Sequence, residues 1–258
     1  MTLNTGRKQL PESGYSPNAE FWIHVIRERL DIYRTELTHH AILGALDPQP
    51  GETIVDAGCG EGWLSRASAQ KGADVVGVDL CPEFIEAARS ASNGQVNHPS
   101  YELGDVRDLP VADKFADVVV SNHVLNDIPD PDTAIKEFAR VLRDHGRLVI
   151  LLLHPCFYTA QAERVEHAQP FLAGEYFNQR IVRQPFKIAG ITSPAETVTY
   201  VYPLEFYFSA LTQAGFAVTK LSEPHPSPEL IEANPWWKDN FRRPLFLLIT
   251  AQLDGTQS

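Results

Sequence analysis

The run Asp56-Ala57-Gly58-Cys59-Gly60-Glu61-Gly62 directly follows the apolar stretch Thr53-Ile54-Val55, and two further acids, Asp79 and Asp105, each close another short apolar run. Glycines let a backbone approach a ligand closely, and a helix that begins after such a turn points its free N–H groups outward. A carboxylate at the end of the second strand can accept both hydroxyls of a ribose. Asp105, at the end of the third, is positioned to take a hydrogen bond from an adenine amino group. Three acidic strand ends around one glycine turn describe a nucleoside pocket without the cluster of donors that a pyrophosphate requires. A glycine turn by itself would equally fit a nicotinamide dinucleotide site or a structural strand–helix turn; the acids carry the distinction.

Other residue types could supply reactivity. His123 and His154 stand at strand ends on the presumed ligand side, where a histidine can act as general base or be a hydrogen-bonded structural residue. Asn126-Asp127 can position a substrate amine or belong to a loop. Tyr176, Tyr200, Tyr202, Glu205 and Tyr207 are candidates for a second-substrate pocket, with core packing as the plainer role for the aromatics. Cys59, Cys81 and Cys156 match neither a zinc spacing nor a disulfide framework, and the nine histidines show no ligand spacing, so no metal is expected.

Strands alternating with helices must carry these residues. Strands are read at Thr53–Asp56, Val75–Asp79, Tyr101–Leu103, Ala116–Ser121 and Arg147–Leu153, with helices at Leu64–Ala69, Pro82–Ala91 and Asp132–Leu142. That alternation means a parallel sheet with helices on both faces. A helix capped by Ser16 or Asn18 is expected to carry Phe21, Trp22, Val25, Ile26, Leu30 and Tyr33. The pattern breaks between Pro155 and Pro203, a long aromatic-rich stretch that reads as a functional insertion. A helix at Leu204–Ala214 and strands at Phe216–Leu221 and Leu245–Leu253 follow, with Trp236-Trp237 either a cap anchor or a subunit contact. The expected organisation is an N-terminal arm and helical lid (1–48), a nucleoside-binding core (49–154), an inserted cap (155–203) and the rest of the core (204–258).

Composition narrows the partners. With 22 Lys+Arg against 33 Asp+Glu, the net charge of −11 argues against nucleic acid and anionic membrane surfaces as partners, because phosphate binding needs basic patches. Residues Met1–Gly14 lack the apolar stretch of a signal peptide, and no run is long enough to span a bilayer. A cytoplasmic enzyme acting on a small molecule, as monomer or homodimer, is expected.

The segment Glu52–Ala88, with Val-Asp-Ala-Gly-Cys-Gly-Glu-Gly and Val-Val-Gly-Val-Asp-Leu, resembles the class I S-adenosylmethionine (SAM)-dependent methyltransferases. Gly104-Asp105-Val106, the strand before Asn122-His123, and Arg140-Val141-Leu142 near Gly146 are similar to their later motifs. The resemblance implies an α/β, Rossmann-like fold: a seven-stranded sheet with an antiparallel last strand, a helical N-terminal lid and an inserted cap. It implies SAM as cofactor, with Asp56 and the backbone at Gly58 and Gly60 on the methionine moiety and Asp79 on the ribose. Leu80 and Val106 would enclose the adenine, Asp105 would bind its amino group, and Asn122 and His123 would line the mouth; Tyr15, Trp22 and Tyr33, near the N-terminus, read as a lid over SAM or as residues packing on the sheet. His123, His154, Tyr176 and Asn126 are the candidates for catalysis.

Leu-His-Pro-Cys-Phe at 153–157 resembles the bacterial small-molecule members, which implies biosynthetic methyl transfer to oxygen or nitrogen. Such relatives often carry a His-Arg pair where Val201-Tyr202 stand here. That departure motivates a second reading, a SAM-consuming lyase or cyclase in which the α-amine of SAM attacks its own γ-carbon. The products would be azetidine-2-carboxylate and methylthioadenosine, with Tyr176 or Asn126 orienting the amine. A third reading is a non-catalytic SAM-binding module.

Overall fold

A computed structural model describes residues 14–94, 97–158 and 176–255. Seven strands form one sheet: β1 (Thr53–Ala57), β2 (Asp74–Asp79), β3 (Ser100–Leu103), β4 (Ala116–Asn122), β5 (Leu142–Leu153), β10 (Phe216–Ser222) and β11 (Phe246–Leu253). Their order is β10-β11-β5-β4-β1-β2-β3. β1 pairs in parallel with both β2 and β4, and β11 runs antiparallel between β5 and β10. This is a Rossmann-like α/β architecture, and its antiparallel strand is the last one, as expected.

The alternation of side chains divides the core. Val55 and Val119 point into one apolar cluster with Phe138 and Tyr207, while Ile54, Val118 and Val120 point into another with Ile42, Leu46 and Trp237. Each central strand is therefore buried on both faces, which is why it reads as an unbroken apolar run. Helices α1 (Ala19–Arg27), α2 (His39–Leu46), α3 (Trp63–Gln70), α4 (Pro82–Ser92), α5 (Pro131–Val141), α6 (Leu204–Gln213), α7 (Pro228–Ala233) and α8 (Trp236–Asn240) complete the layers. No helix among the described residues is long and apolar enough to cross a membrane.

Several boundaries differ from the sequence reading. α1 stops at Arg27, because Arg29 turns to a positive φ of 57° and Leu30 N–H closes on Val25 O. Leu30 and Tyr33 therefore lie beyond it, and a π-helical turn, Arg34–Thr38, leads into α2. Neither Ser16 nor Asn18 caps the helix: Asn18 Oδ1 accepts the Ala195 N–H at 2.8 Å, and Ser16 Oγ donates to Glu83 Oε2 at 2.9 Å. Strand β5 starts at Leu142, not Arg147.

The described part of 155–203 forms two hairpins, β6 (Arg180–Gln184) with β9 (Thr197–Val201), and β7 (Lys187–Ile188) with β8 (Ile191–Thr192). The second approaches the N-terminal helix, where Phe186 meets Trp22 edge-on at 5.1 Å.

Candidate functional site

The chain runs outward through β1, β2 and β3, then returns to lay β4 and β5 on the other side of β1. Such a reversal leaves a crevice at the carboxyl ends of the strands. A cavity of about 620 Å³ lies there, and Asp56, Asp79, Asp105 and Asn122, all from strand ends, line it.

The glycine turn is built by close approach. Gly58 has φ +82°, and a Cβ on it would stand 2.2 Å from Val124 Cγ2. Its N–H and that of Cys59 both bond Val78 O, which stitches the turn to β2. Gly60, also at positive φ, has nothing within 4 Å of where a Cβ would sit, so its backbone is open to the cavity it lines. Asp79 braces the same turn: its Oδ2 accepts Gly60 N–H at 2.8 Å and its Oδ1 accepts Cys81 N–H at 2.9 Å. Burial raises its pKa, and those backbone donors oppose the rise.

Asp56 is buried and accepts from Ser65 Oγ at 2.5 Å. Burial pushes its carboxyl up to about 7, against the Ser65 hydrogen bond and with Asp79 adding to the rise. Asp105 behaves in the opposite way. Burial acts to raise it, but Arg107, bonded through Nη2 at 2.7 Å and Nε at 3.0 Å, holds it below the usual carboxylate range. Leu80, Val106 and Tyr33 also line the cavity. Asn122 Oδ1 is buried among these groups with no hydrogen-bond partner, an acceptor waiting for a donor.

Among the four candidates for catalysis, only His123 lines the cavity. Its φ is +62°, its N–H bonds Leu151 O, and its ring meets Phe246 edge-on at 5.5 Å. Burial pushes its pKa down to about 3, helped by Arg34 and His39, so it is neutral near pH 7 and poorly matched to a proton-accepting role.

His154, Tyr176 and Asn126 are placed outside the cavity lining and serve as braces. His154 Nδ1 accepts Cys156 N–H at 3.2 Å, which leaves its Nε2 to donate to Glu223 Oε1 at 2.9 Å. The Tyr176 hydroxyl accepts Leu204 N–H at 3.0 Å at the start of α6. Asn126 Oδ1 accepts Leu153 N–H at 3.0 Å, and its carbonyl takes Tyr200 N–H at 2.6 Å. The Tyr202 hydroxyl is bound to Pro129 O, Tyr207 is in the core, and Tyr200 reaches the cavity.

The tertiary structure brings further residues to the cavity, Arg34 without any local sequence signal and Tyr15, Asp127 and Trp236 as residues the sequence already singles out. Arg34, from the π-helical turn, lines the cavity with its guanidinium 5.6 Å from the Trp22 ring centroid and Asp31 3.9 Å away. Tyr15, from the N-terminal segment, donates its hydroxyl to Asp127 Oδ2 at 2.6 Å. Burial pushes the Asp127 carboxyl up to about 7, against the Tyr15 hydrogen bond and the Arg34 charge and with Asp79 contributing upward. Tyr158 and Phe186 come from the insertion, and Trp236 from α8.

An open glycine cradle, carboxylates at three strand ends and an orphaned amide oxygen fit a nucleoside carrying a polar tail. Comparison with known proteins agrees. The methyltransferase domain family matches residues 55–150. The arsenite methyltransferase of Halobacterium salinarum is 31% identical over 186 residues, covering 70% of this chain and 41% of that protein. The malonyl-[acyl-carrier protein] O-methyltransferase of Serratia marcescens is 35% identical over 112 residues, 43% of this chain and 42% of the relative. The chain thus spans less than half the length of these curated relatives. Among solved structures, a Listeria monocytogenes protein assigned as a SAM-dependent methyltransferase superposes with a TM-score of 0.69 at 27% identity, covering 84% of this chain and 96% of that one.

Proposed function

Because this chain belongs to the class I SAM-dependent methyltransferase superfamily, with SAM as its cofactor, we propose that it transfers a methyl group to an oxygen or nitrogen of a small molecule. The observation that carries the reading is the convergence of Asp56, Asp79 and the open glycine turn on one cavity whose outer part is aromatic. When bound, SAM supplies the methyl group and leaves as adenosylhomocysteine.

The residues then have distinct tasks. Asp79 takes the ribose hydroxyls with the lone pairs that Gly60 and Cys81 leave free. Asp56 and the backbone at Gly58 and Gly60 hold the methionine amine, and Arg34 its carboxylate. Leu80 and Val106 pack on the adenine, Asp105 meets its polar edge, and Asn122 Oδ1 receives a cofactor donor. Tyr33 forms part of the outer wall. The described parts of segments 1–48 and 155–203, residues 14–48, 155–158 and 176–203, act as lid and cap over the core, excluding water and aligning the acceptor. Alignment alone can lower such a barrier by ~7–11 kcal/mol.

The test is calorimetric titration with SAM and adenosylhomocysteine, followed by incubation with methyl-labelled SAM and a panel of small alcohols, phenols and amines. Saturable binding, with label passing to an acceptor as adenosylhomocysteine accumulates, is the expected result. Methylthioadenosine released together with azetidine-2-carboxylate from SAM alone would replace methyl transfer by intramolecular cyclisation. Absence of binding to either nucleoside would remove the reading altogether.

A further inference from the structure

The carboxylates of the cavity are not equivalent. Asp56 is engaged by Ser65, Asp79 by two backbone N–H groups, Asp105 by Arg107, and Glu61 by Arg66 at 2.8 Å. Asp127 accepts from a tyrosine hydroxyl that comes from the far N-terminal segment, and like Asp56 it forms no ion pair with Lys or Arg among the described residues, although the Arg34 charge acts on it. Tyr15 and Asp127 lie 112 positions apart in the chain and meet across the cavity that both line. The surroundings are aromatic. Phe84 is 6.1 Å from the Tyr15 ring, and Tyr200 reaches the cavity from a backbone bonded to Asn126, the neighbour of Asp127. A carboxylate in a cavity lined by aromatic groups favours a cation, and Arg34, whose charge acts on Asp127, is itself engaged by Asp31 and the Trp22 ring.

Resting on the methyl-transfer reading above, we infer that Tyr15 and Asp127 form the acceptor-binding end of the cavity, and that the acceptor is an amine bound as its ammonium. An ammonium cannot attack carbon until it loses a proton. One N–H bond breaks, its electron pair stays on nitrogen, and the proton forms an O–H bond on Asp127. The Tyr15 hydroxyl steadies the carboxylate before the transfer and can accept a hydrogen bond from the carboxyl after it. Burial supports this role, because a carboxyl that titrates near 7 accepts a proton readily at neutral pH. His123 cannot substitute for it, being held neutral and weakly basic. Asp127 is thus a catalytic residue and Tyr15 its positioning partner.

The experiment uses the whole 258-residue chain loaded with adenosylhomocysteine, titrated calorimetrically at pH 8 with benzylamine, benzyl alcohol and benzoate as probes. Benzylamine should bind at least about tenfold more tightly than the other two, in line with the strength of a charge-assisted hydrogen bond. Asp127→Asn should weaken benzylamine by about tenfold or more while leaving adenosylhomocysteine affinity within about twofold, and Tyr15→Phe should do the same to a smaller degree. Three results would overturn the inference: benzoate binding as well as benzylamine, benzylamine affinity unchanged in both variants, or a tenfold loss of adenosylhomocysteine affinity in Asp127→Asn. The last would assign the pair to the amine of the cofactor. Failure of the wild type to bind adenosylhomocysteine is read before any amine is added and counts against the methyl-transfer reading. In that case benzylamine titrated into the free protein still scores the amine site.

Discussion

Asp79 accepts two backbone N–H bonds from opposite sides of the glycine turn, so the residue proposed to hold the ribose also shapes the loop beneath it. Asp79→Asn keeps the shape of the side chain but turns one acceptor into a donor facing an N–H. We predict a loss of SAM affinity on the order of 100-fold in calorimetry, two charge-assisted bonds being weakened at once.

Asp127 has a different signature. In the unfolded chain it titrates as an ordinary carboxyl, whereas burial pushes its folded pKa up to about 7. The folded protein therefore holds the extra proton between pH 4 and 7, and this contribution to stability is lost as pH rises through that window. Asp127→Asn removes the loss. Its melting temperature relative to wild type should increase from pH 5 to pH 8, and a difference that stays flat or falls would contradict the assigned pKa.

At the scale of elements, two joints decide whether the cavity exists. Gly58 lies at positive φ with Val124 pressed against it. Gly58→Ala combines overpacking with left-handed strain, for a cost of about 2–4 kcal/mol and a melting temperature lower by roughly 10 °C. The second joint is Asn18, which ties the start of α1 to the insertion through the Ala195 N–H. Asn18→Ala leaves that donor without its acceptor, at about 1–3 kcal/mol. The Ala195 amide should then exchange with deuterium at least about tenfold faster, while amides of β1 and β4 keep their protection. Uniform acceleration across the sheet would mean that Asn18 supports the core, not the lid.

At the scale of the whole molecule, the cavity is closed by parts of the chain that are remote from one another: Tyr15, Trp22 and Arg34 from the N-terminal region, Phe186 and Tyr200 from the insertion, and Trp236 from near the C-terminus. A cofactor that bridges them should order them together. We predict that adenosylhomocysteine slows amide exchange in 14–38 and 186–200 beyond the protection it gives the glycine turn. Protection confined to 56–62 would mean that the outer segments do not close on the cofactor.

The core strands and the glycine turn were legible because their causes are local. A strand buried on both faces must be apolar throughout, a backbone meeting a ligand calls for glycine, and the acids at the ends of β1, β2 and β3 follow from the same parallel pattern. That pattern settles the sheet, the cofactor class and where the crevice must open. Which strand-end side chains face the crevice is not local. His154, Tyr176 and Asn126 stand near it in sequence, yet each is turned away to satisfy a backbone or side-chain group of a neighbouring element. Conversely, Asp127 reads in the sequence as an amine-positioning or loop residue and Tyr15 as a lid residue, but their pairing at 2.6 Å exists only in the fold. A hydrogen bond between residues 112 positions apart leaves no periodicity or spacing to read. Only the packed tertiary structure decides which polar groups are used up in holding the fold and which remain for chemistry.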